Sequence, residues 1–126
     1  MIAVLSPAKT LDFETEISLE KSKARLFDRS KVLLEKLKDK SGQDLQDMMS
    51  ISDQLAELNV KRFQKFSTRH TPKNSKQSLF AFRGDVYVGL DADNFTEEDT
   101  AFAQDHLRIL SGLYGLLRPL DGIQPY

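Results

Sequence analysis

Three short apolar runs, separated by segments with helical periodicity, constrain the fold of this chain more than any other feature of its sequence. The runs cover residues 2–5, 78–82 and 108–111, and each has the length of a buried strand. Strands that alternate with helices are typical of proteins in which helices pack on a parallel sheet. We therefore predict an α/β fold with a small, mainly parallel sheet and helices packed on it.

The segments between the apolar runs carry hydrophobic residues at the spacing of an amphipathic helix. Ser52 is a plausible N-cap, and Thr96 with Asp99 forms the pattern of a capping box at the start of a further helix. The predicted helices cover residues 22–39, 43–50 and 52–66, with about one helical turn over residues 84–90.

The loops that follow the three predicted strands are the candidate ligand-binding segments. In parallel sheets, ligands bind beyond the carboxyl ends of the strands. "SPAKT" follows the first strand, Arg83 follows the second, and "SGLYG" follows the third. With right-handed crossovers between parallel strands, we expect Lys9, Arg83 and Gly112 to lie near one another in one cleft.

Each of these loops also has a purely structural interpretation. "SPAKT" lacks the glycines of a nucleotide-hydrolysing phosphate loop, so Lys9 is either a phosphate ligand or a surface lysine in a rigid turn. Gly112 and Gly115 either let backbone N–H groups approach a phosphate or form a turn with positive φ around a core Tyr114. The sequence leaves both interpretations open.

Charge is unevenly distributed, although the formal net charge of the 126 residues is only −1. Residues 59–84 contain no acidic residue, and residues 91–105 contain no lysine or arginine. A basic patch with interleaved aromatic residues is typical of nucleic-acid binding, whereas many charge runs are only solvated faces. The basic window contains Lys61, Arg62, Lys65, Arg69, Lys73, Lys76 and Arg83, with His70 among them.

Several classes of site are not expected from the composition. The chain has no cysteine, which excludes disulfides and thiolate metal sites and is typical of a cytoplasmic protein. His70 and His106 have no metal-ligand spacing, and the acidic segment 91–99 lacks the central glycine of a calcium loop. We find no catalytic pattern and predict no metal, no cofactor and no membrane span, so catalytic residues stay unassigned.

Three motifs together resemble one family. "SPAKTL", "FRGDVYVGL" and "LSGLYGLLRPLDGIQPY" occur in the order found in the YaaA family of peroxide stress proteins, and the resemblance covers essentially the whole chain. Arg83 stands where many members carry lysine, which keeps the charge. Members of this family are longer, so the resemblance implies that residues 1–126 are an N-terminal fragment of a larger single domain. We expect such a fragment to be less stable than the whole protein.

The resemblance implies a role in the response to peroxide stress, in which the protein limits iron-dependent oxidative damage and binds DNA with low sequence specificity. It also implies a positively charged cleft and a helix-hairpin-helix-like element, for which Pro119 leaves little room directly after Gly115. The alternative is an enzyme or binding protein for a small phosphorylated or nucleotide-like ligand at the carboxyl ends of the strands.

The candidate contacts with DNA or phosphate come from the motifs and from the basic window. Lys9, Arg83 and Arg118 are the phosphate contacts that the resemblance implies, and Tyr126 is a further motif position. The complete candidate set is Lys9, Lys61, Arg62, Lys65, Arg83, Gly112, Gly115 and Arg118.

Overall fold

The computed structural model describes residues 1–126 and has the predicted α/β class. The strands are β1 (Ala3–Leu5), β2 (Thr10–Leu11), β3 (Lys76–Gln77), β4 (Phe82–Arg83), β5 (Leu107–Ser111), β6 (Gly115–Leu117) and β7 (Gly122–Ile123). The helices are α1 (Phe27–Lys38), α2 (Gly42–Met49), α3 (Asp53–Lys65), α4 (Ser78–Ala81), α5 (Asp85–Leu90) and α6 (Glu97–His106). None of these helices has both the length and the hydropathy needed to cross a bilayer.

The main sheet has the strand order β1-β5-β6 and is mixed rather than mainly parallel. β1 and β5 are parallel, as predicted for the first and third apolar runs, whereas β5 and β6 are antiparallel. Only three residues, Gly112–Tyr114, connect β5 to β6, and so short a connection permits only a hairpin. The two smaller sheets, β2-β4 and β3-β7, are also antiparallel. Because β5 and β6 form this hairpin, residues 107–117 do not form a helical hairpin.

The helix starts that were predicted from capping residues are confirmed. The Ser52 side chain accepts a hydrogen bond from the Leu55 N–H at the start of α3. Thr96 and Asp99 form the predicted capping box of α6, in which each side chain accepts a hydrogen bond from the other residue's backbone N–H. These local hydrogen bonds satisfy N–H groups that the first helical turn leaves without partners, so the helices begin where such residues stand.

The prediction of a strand over residues 78–82 is wrong for most of that run. Ser78–Ala81 form the single helical turn α4, and only Phe82 belongs to a strand. All five residues are buried, so the run has no alternation of exposed and buried positions to distinguish a strand from a helix. The Ser78 hydroxyl donates to the backbone carbonyl of Arg118 at 2.9 Å, which ties the turn to the C-terminal segment.

The core lies on one face of the main sheet. Ile109 and Leu117 are fully buried there with Tyr114, and the buried faces of α1 and α3 belong to the same core. The opposite face of the sheet, here called the outer face, presents Val4, Leu110 and Leu116, whose exposed fractions are 57%, 55% and 43%. The sheet is therefore covered by helices on one side only.

Candidate functional site

A cleft at the carboxyl ends of β1 and β5, here called the strand-end cleft, gathers several of the predicted site residues. Because the two strands are parallel, the loops that follow them emerge at the same edge of the sheet. Lys9 and Gly112, one from each loop, line this cleft, which has a volume of about 360 Å³. Arg62 from α3 and Tyr126 also line it.

The charge of the strand-end cleft is positive. Lys9 is exposed and Arg62 is partly buried, and neither forms an ion pair. Arg62 Nη1 donates to the backbone carbonyl of Tyr126 at 3.2 Å, and burial lowers the pKa of the guanidinium from its usual value. No aspartate or glutamate side chain lines the cleft.

The floor of the strand-end cleft is largely apolar and includes Leu55 and Phe63. One buried polar residue, Asn59, interrupts it. The Asn59 Nδ2 group donates to the Leu55 carbonyl at 2.9 Å, and its Oδ1 accepts no hydrogen bond within the chain. The Tyr126 hydroxyl is hydrogen-bonded to Ser111, and burial raises the pKa of Tyr126.

The two glycines of the "SGLYG" segment have different surroundings. Gly115 has a φ of 73°, and a Cβ added to it would lie 2.6 Å from Leu26 Cδ1. Gly112 has no positive φ, and no atom lies within 4 Å of the position that its Cβ would take. The turn therefore requires glycine at position 115, and the fold gives no reason for glycine at position 112. Tyr114, between them, is fully buried in the core.

Arg83 does not line the strand-end cleft, although its neighbour across the β2-β4 ladder is Thr10. Its Nη2 lies 3.3 Å from Asp12 Oδ2 and 3.5 Å from Asp93 Oδ2. Lys76 Nζ lies 3.4 Å from the same Asp12 oxygen. Arg83 thus belongs to a cluster of charges that joins β2, β3 and β4, and its contact with phosphate stays a prediction.

Several interactions determine the ionisation of Asp12. Burial opposes the charged form, but hydrogen bonds from the backbone N–H groups of Thr15 and Glu14 favour it. The charge of Lys76 and the hydrogen bond from Arg83 act in the same direction, and together these interactions hold the pKa of Asp12 well below its usual range. Asp12 is therefore a carboxylate over the whole physiological range of pH.

Arg118, like Arg83, forms an ion pair with an aspartate. Its Nε and Nη2 donate to Asp121 Oδ1 at 3.1 and 2.8 Å, and Asp121 is completely buried. Its Nη2 also donates to the Lys23 carbonyl at 2.9 Å. Of the remaining candidates, Lys61 and Lys65 are exposed on α3. That Arg118, Lys61 and Lys65 contact phosphate stays a prediction.

A second cleft, here called the basic cleft, has a volume of about 580 Å³ and lies between residues 19–31 and 68–75. Its only carboxylate is Glu20. At its floor, the rings of Phe27 and His70 meet edge to face, with their centroids 4.4 Å apart. The cationic and titratable basic residues that line it are Lys21, Lys23, Lys31, Arg69 and His70.

His70 connects the basic cleft to the core. The Tyr114 hydroxyl accepts a hydrogen bond from the Gln124 N–H at 2.9 Å and lies 3.1 Å from His70 Nε2. The Nε2 atom of a neutral imidazole can accept the Tyr114 hydroxyl proton at this distance. Burial and, second, the charge of Lys23 lower the pKa of His70 from its usual value, so neutral histidine is favoured.

Lys21, Lys23 and Lys31 are not among the site residues predicted from the sequence. Glu20 and Asp28 lie beside them in the sequence. The segment is therefore not an acid-free basic run like residues 59–84. The signal that does exist is the short "KSK" cluster at residues 21–23, which the fold places opposite Arg69.

The chain thus has an α/β fold with two clefts that are lined by cationic side chains. The sequence profile of the family described as "Peroxide stress protein YaaA" matches residues 1–126, and the chain belongs to that family. A UPF0246 protein of Saccharophagus degradans is 54% identical over 127 residues, which cover 100% of this chain and 50% of the relative. UPF0246 proteins of Teredinibacter turnerae and Cupriavidus metallidurans are 54% and 53% identical over 100% of this chain, and cover 50% and 49% of those relatives. The chain thus spans about half the length of these relatives.

Proposed function

We propose that this chain contributes DNA binding to a cytoplasmic peroxide stress protein and that the basic cleft is its contact with DNA. Binding has little sequence preference, because the cleft offers cations for phosphates and no built set of groups for base edges. In this proposal the whole protein limits iron-dependent oxidative damage, and this chain supplies the DNA contact.

The observation that carries the proposal is the convergence of unpaired cations in the basic cleft. Lys21, Lys23 and Arg69 come from two distant segments of the chain and make no ion pair. Lys31 contributes less, because its Nζ lies 3.2 Å from Asp28 Oδ1. Unneutralised cations on both walls of an open groove are the arrangement that a phosphate backbone requires.

The test is fluorescence anisotropy with a labelled duplex across a salt series. Reversing Lys23 and Arg69 to glutamate should weaken binding on all sequences alike and flatten the salt dependence. For each phosphate contact removed, the magnitude of the slope of log K against log salt should fall by about 0.9. A matched reversal of Lys36 and Lys40, two exposed lysines outside both clefts, changes net charge equally and should have a much smaller effect.

The same series tests the α3 residues that were predicted from the sequence. If Lys61→Glu with Lys65→Glu weakens binding as much as the basic-cleft pair does, the interface extends along α3. If the basic-cleft pair and the Lys36 and Lys40 control lose affinity equally, only net charge matters, and the basic cleft is not the contact.

A further inference from the structure

We propose that the strand-end cleft binds a free nucleoside monophosphate, with the phosphate at Lys9, Arg62 and Gly112 and the base on the apolar floor. This site is separate from the basic cleft, since no residue lines both. The inference therefore does not depend on the proposed function in DNA binding.

The charges at the rim of the strand-end cleft favour an anionic ligand. Lys9 and Arg62 have no aspartate or glutamate partner, and Arg62 is partly desolvated, with the main-chain oxygen of Tyr126 as its acceptor. A guanidinium held partly out of water normally has an anionic partner. In addition, the backbone N–H groups of Ala8, Lys9 and Gly112 donate to no acceptor within the chain, and such groups bind phosphate oxygens readily.

Gly112 gives the second, independent argument. Its φ is available to any residue and its Cβ position is open, so a larger side chain would not strain the fold. Gly115, three residues later, is explained by the turn alone. A glycine that the fold does not require, on the wall of a cleft with two cationic side chains, permits the close backbone approach that phosphate groups need.

The floor of the strand-end cleft fits a nucleobase. Leu55 and Phe63 provide apolar surface for the faces of a flat ring, and Asn59 Oδ1 provides one free acceptor for an amino group at its edge. The volume of about 360 Å³ is at the small end of the range for small-molecule sites, roughly 300–1,000 Å³. A cleft of this size holds a mononucleotide and not a duplex.

Calorimetric titration of the chain with AMP, adenosine and inorganic phosphate tests the assignment. We expect AMP to bind at least about tenfold more tightly than either of the other two probes, since only AMP uses both the rim and the floor. Lys9→Ala should weaken AMP binding about tenfold, the effect of roughly 1.4 kcal/mol for one charge-assisted contact. Lys36→Ala, an exposed lysine outside the cleft, should leave AMP binding unchanged.

A steric block gives the sharper variant. Gly112→Leu should abolish AMP binding without unfolding the chain, and Gly89→Leu is its matched control, because Gly89 also has no atom within 4 Å of its Cβ position. Circular dichroism verifies that both variants fold. Equal AMP affinity in the two variants would overturn the proposal, as would phosphate binding as tightly as AMP or no binding of AMP at all. Gly112→Leu should leave affinity for the DNA duplex unchanged, so failure of this inference and failure of the DNA proposal are distinguishable.

Discussion

His70 is a residue whose protonation opposes folding. Its ring lies between Phe27 and Phe66 and faces the Tyr114 hydroxyl, and the charge of Lys23 acts on it. Burial and Lys23 both lower the pKa of the folded-state imidazole from the usual 6.5. As the pH is lowered, the His70 imidazole of the unfolded chain is therefore protonated at a higher pH than that of the folded chain.

We predict that stability falls as the pH is lowered from about 7 through 6.5 toward the lower folded-state pKa, because proton uptake favours the unfolded state in that window. Urea unfolding at pH 7.5 and pH 5.5 measures the change. His70→Gln should remove most of the loss, whereas His106→Gln should retain it because His70 is unchanged. An equal loss of stability in the chain and in His70→Gln would contradict the prediction.

Single residues were the hardest level to predict from the sequence. Gly112 and Gly115 are equivalent in a local pattern, and only the position of Leu26 and the backbone φ separate the glycine that the turn needs from the one that it does not. Arg83 and Arg118 are likewise of a residue type that commonly binds phosphate. Their carboxylate partners, Asp12 and Asp121, are found only in the folded chain.

At the level of helices and strands, the sequence predicted best where the determining interactions are local. The starts of α3 and α6 rest on hydrogen bonds within one turn, and both were located correctly. The run 78–82 failed because its conformation depends on distant partners, including the carbonyls of Arg118 and Pro119. The mixed character of the sheet depends on the three-residue connection Gly112–Tyr114, after which the chain returns antiparallel to β5 as β6.

Asp12, directly after β2, lies within ion-pair distance of Lys76 in β3 and Arg83 in β4. Lys76 is buried, and its Nζ lies 3.4 Å from Asp12 Oδ2 without a well-formed hydrogen bond. We predict that Asp12→Asn destabilises the chain by about 3 kcal/mol or more, since it leaves a buried ammonium without a carboxylate. The free energy of unfolding in urea measures the effect.

Two further variants show whether the buried charge is the cause. Adding Lys76→Met to Asp12→Asn should restore most of the lost stability, because an apolar side chain of similar length replaces the orphaned charge. Asp93→Asn removes the exposed partner of Arg83 and should cost less than about 1 kcal/mol. If Asp12→Asn costs no more than Asp93→Asn, the pair does not hold the three strands together.

For the whole molecule, the outer face of the main sheet is the feature that remains uncovered. Val4, Leu110 and Leu116 form an apolar surface there. This chain matches only about half the length of the relatives. A contiguous exposed apolar surface is typical of a face that another part of a protein or a partner covers. This agrees with the interpretation of residues 1–126 as part of a larger single domain, which stays a prediction.

The relative from Saccharophagus degradans allows that prediction to be tested. We expect the half that matches this chain to unfold at a lower urea concentration than the whole relative, because the apolar outer face is then exposed to water. The measurement is the urea midpoint of each, with the m-value as a check on the surface buried. Equal midpoints with a single cooperative transition would mean that the matching half is a self-sufficient domain.

The parallel pairing of β1 with β5 has a consequence for how the chain folds. β1 leaves the ribosome before β5, yet its only partner begins at Leu107, so residues 6–106 must be synthesised before the main sheet can form. Contacts of such high sequence separation are slow to close. Throughout that interval Val4 and its apolar neighbours stay unpaired on the nascent chain, where they are a ready target for chaperones or for aggregation.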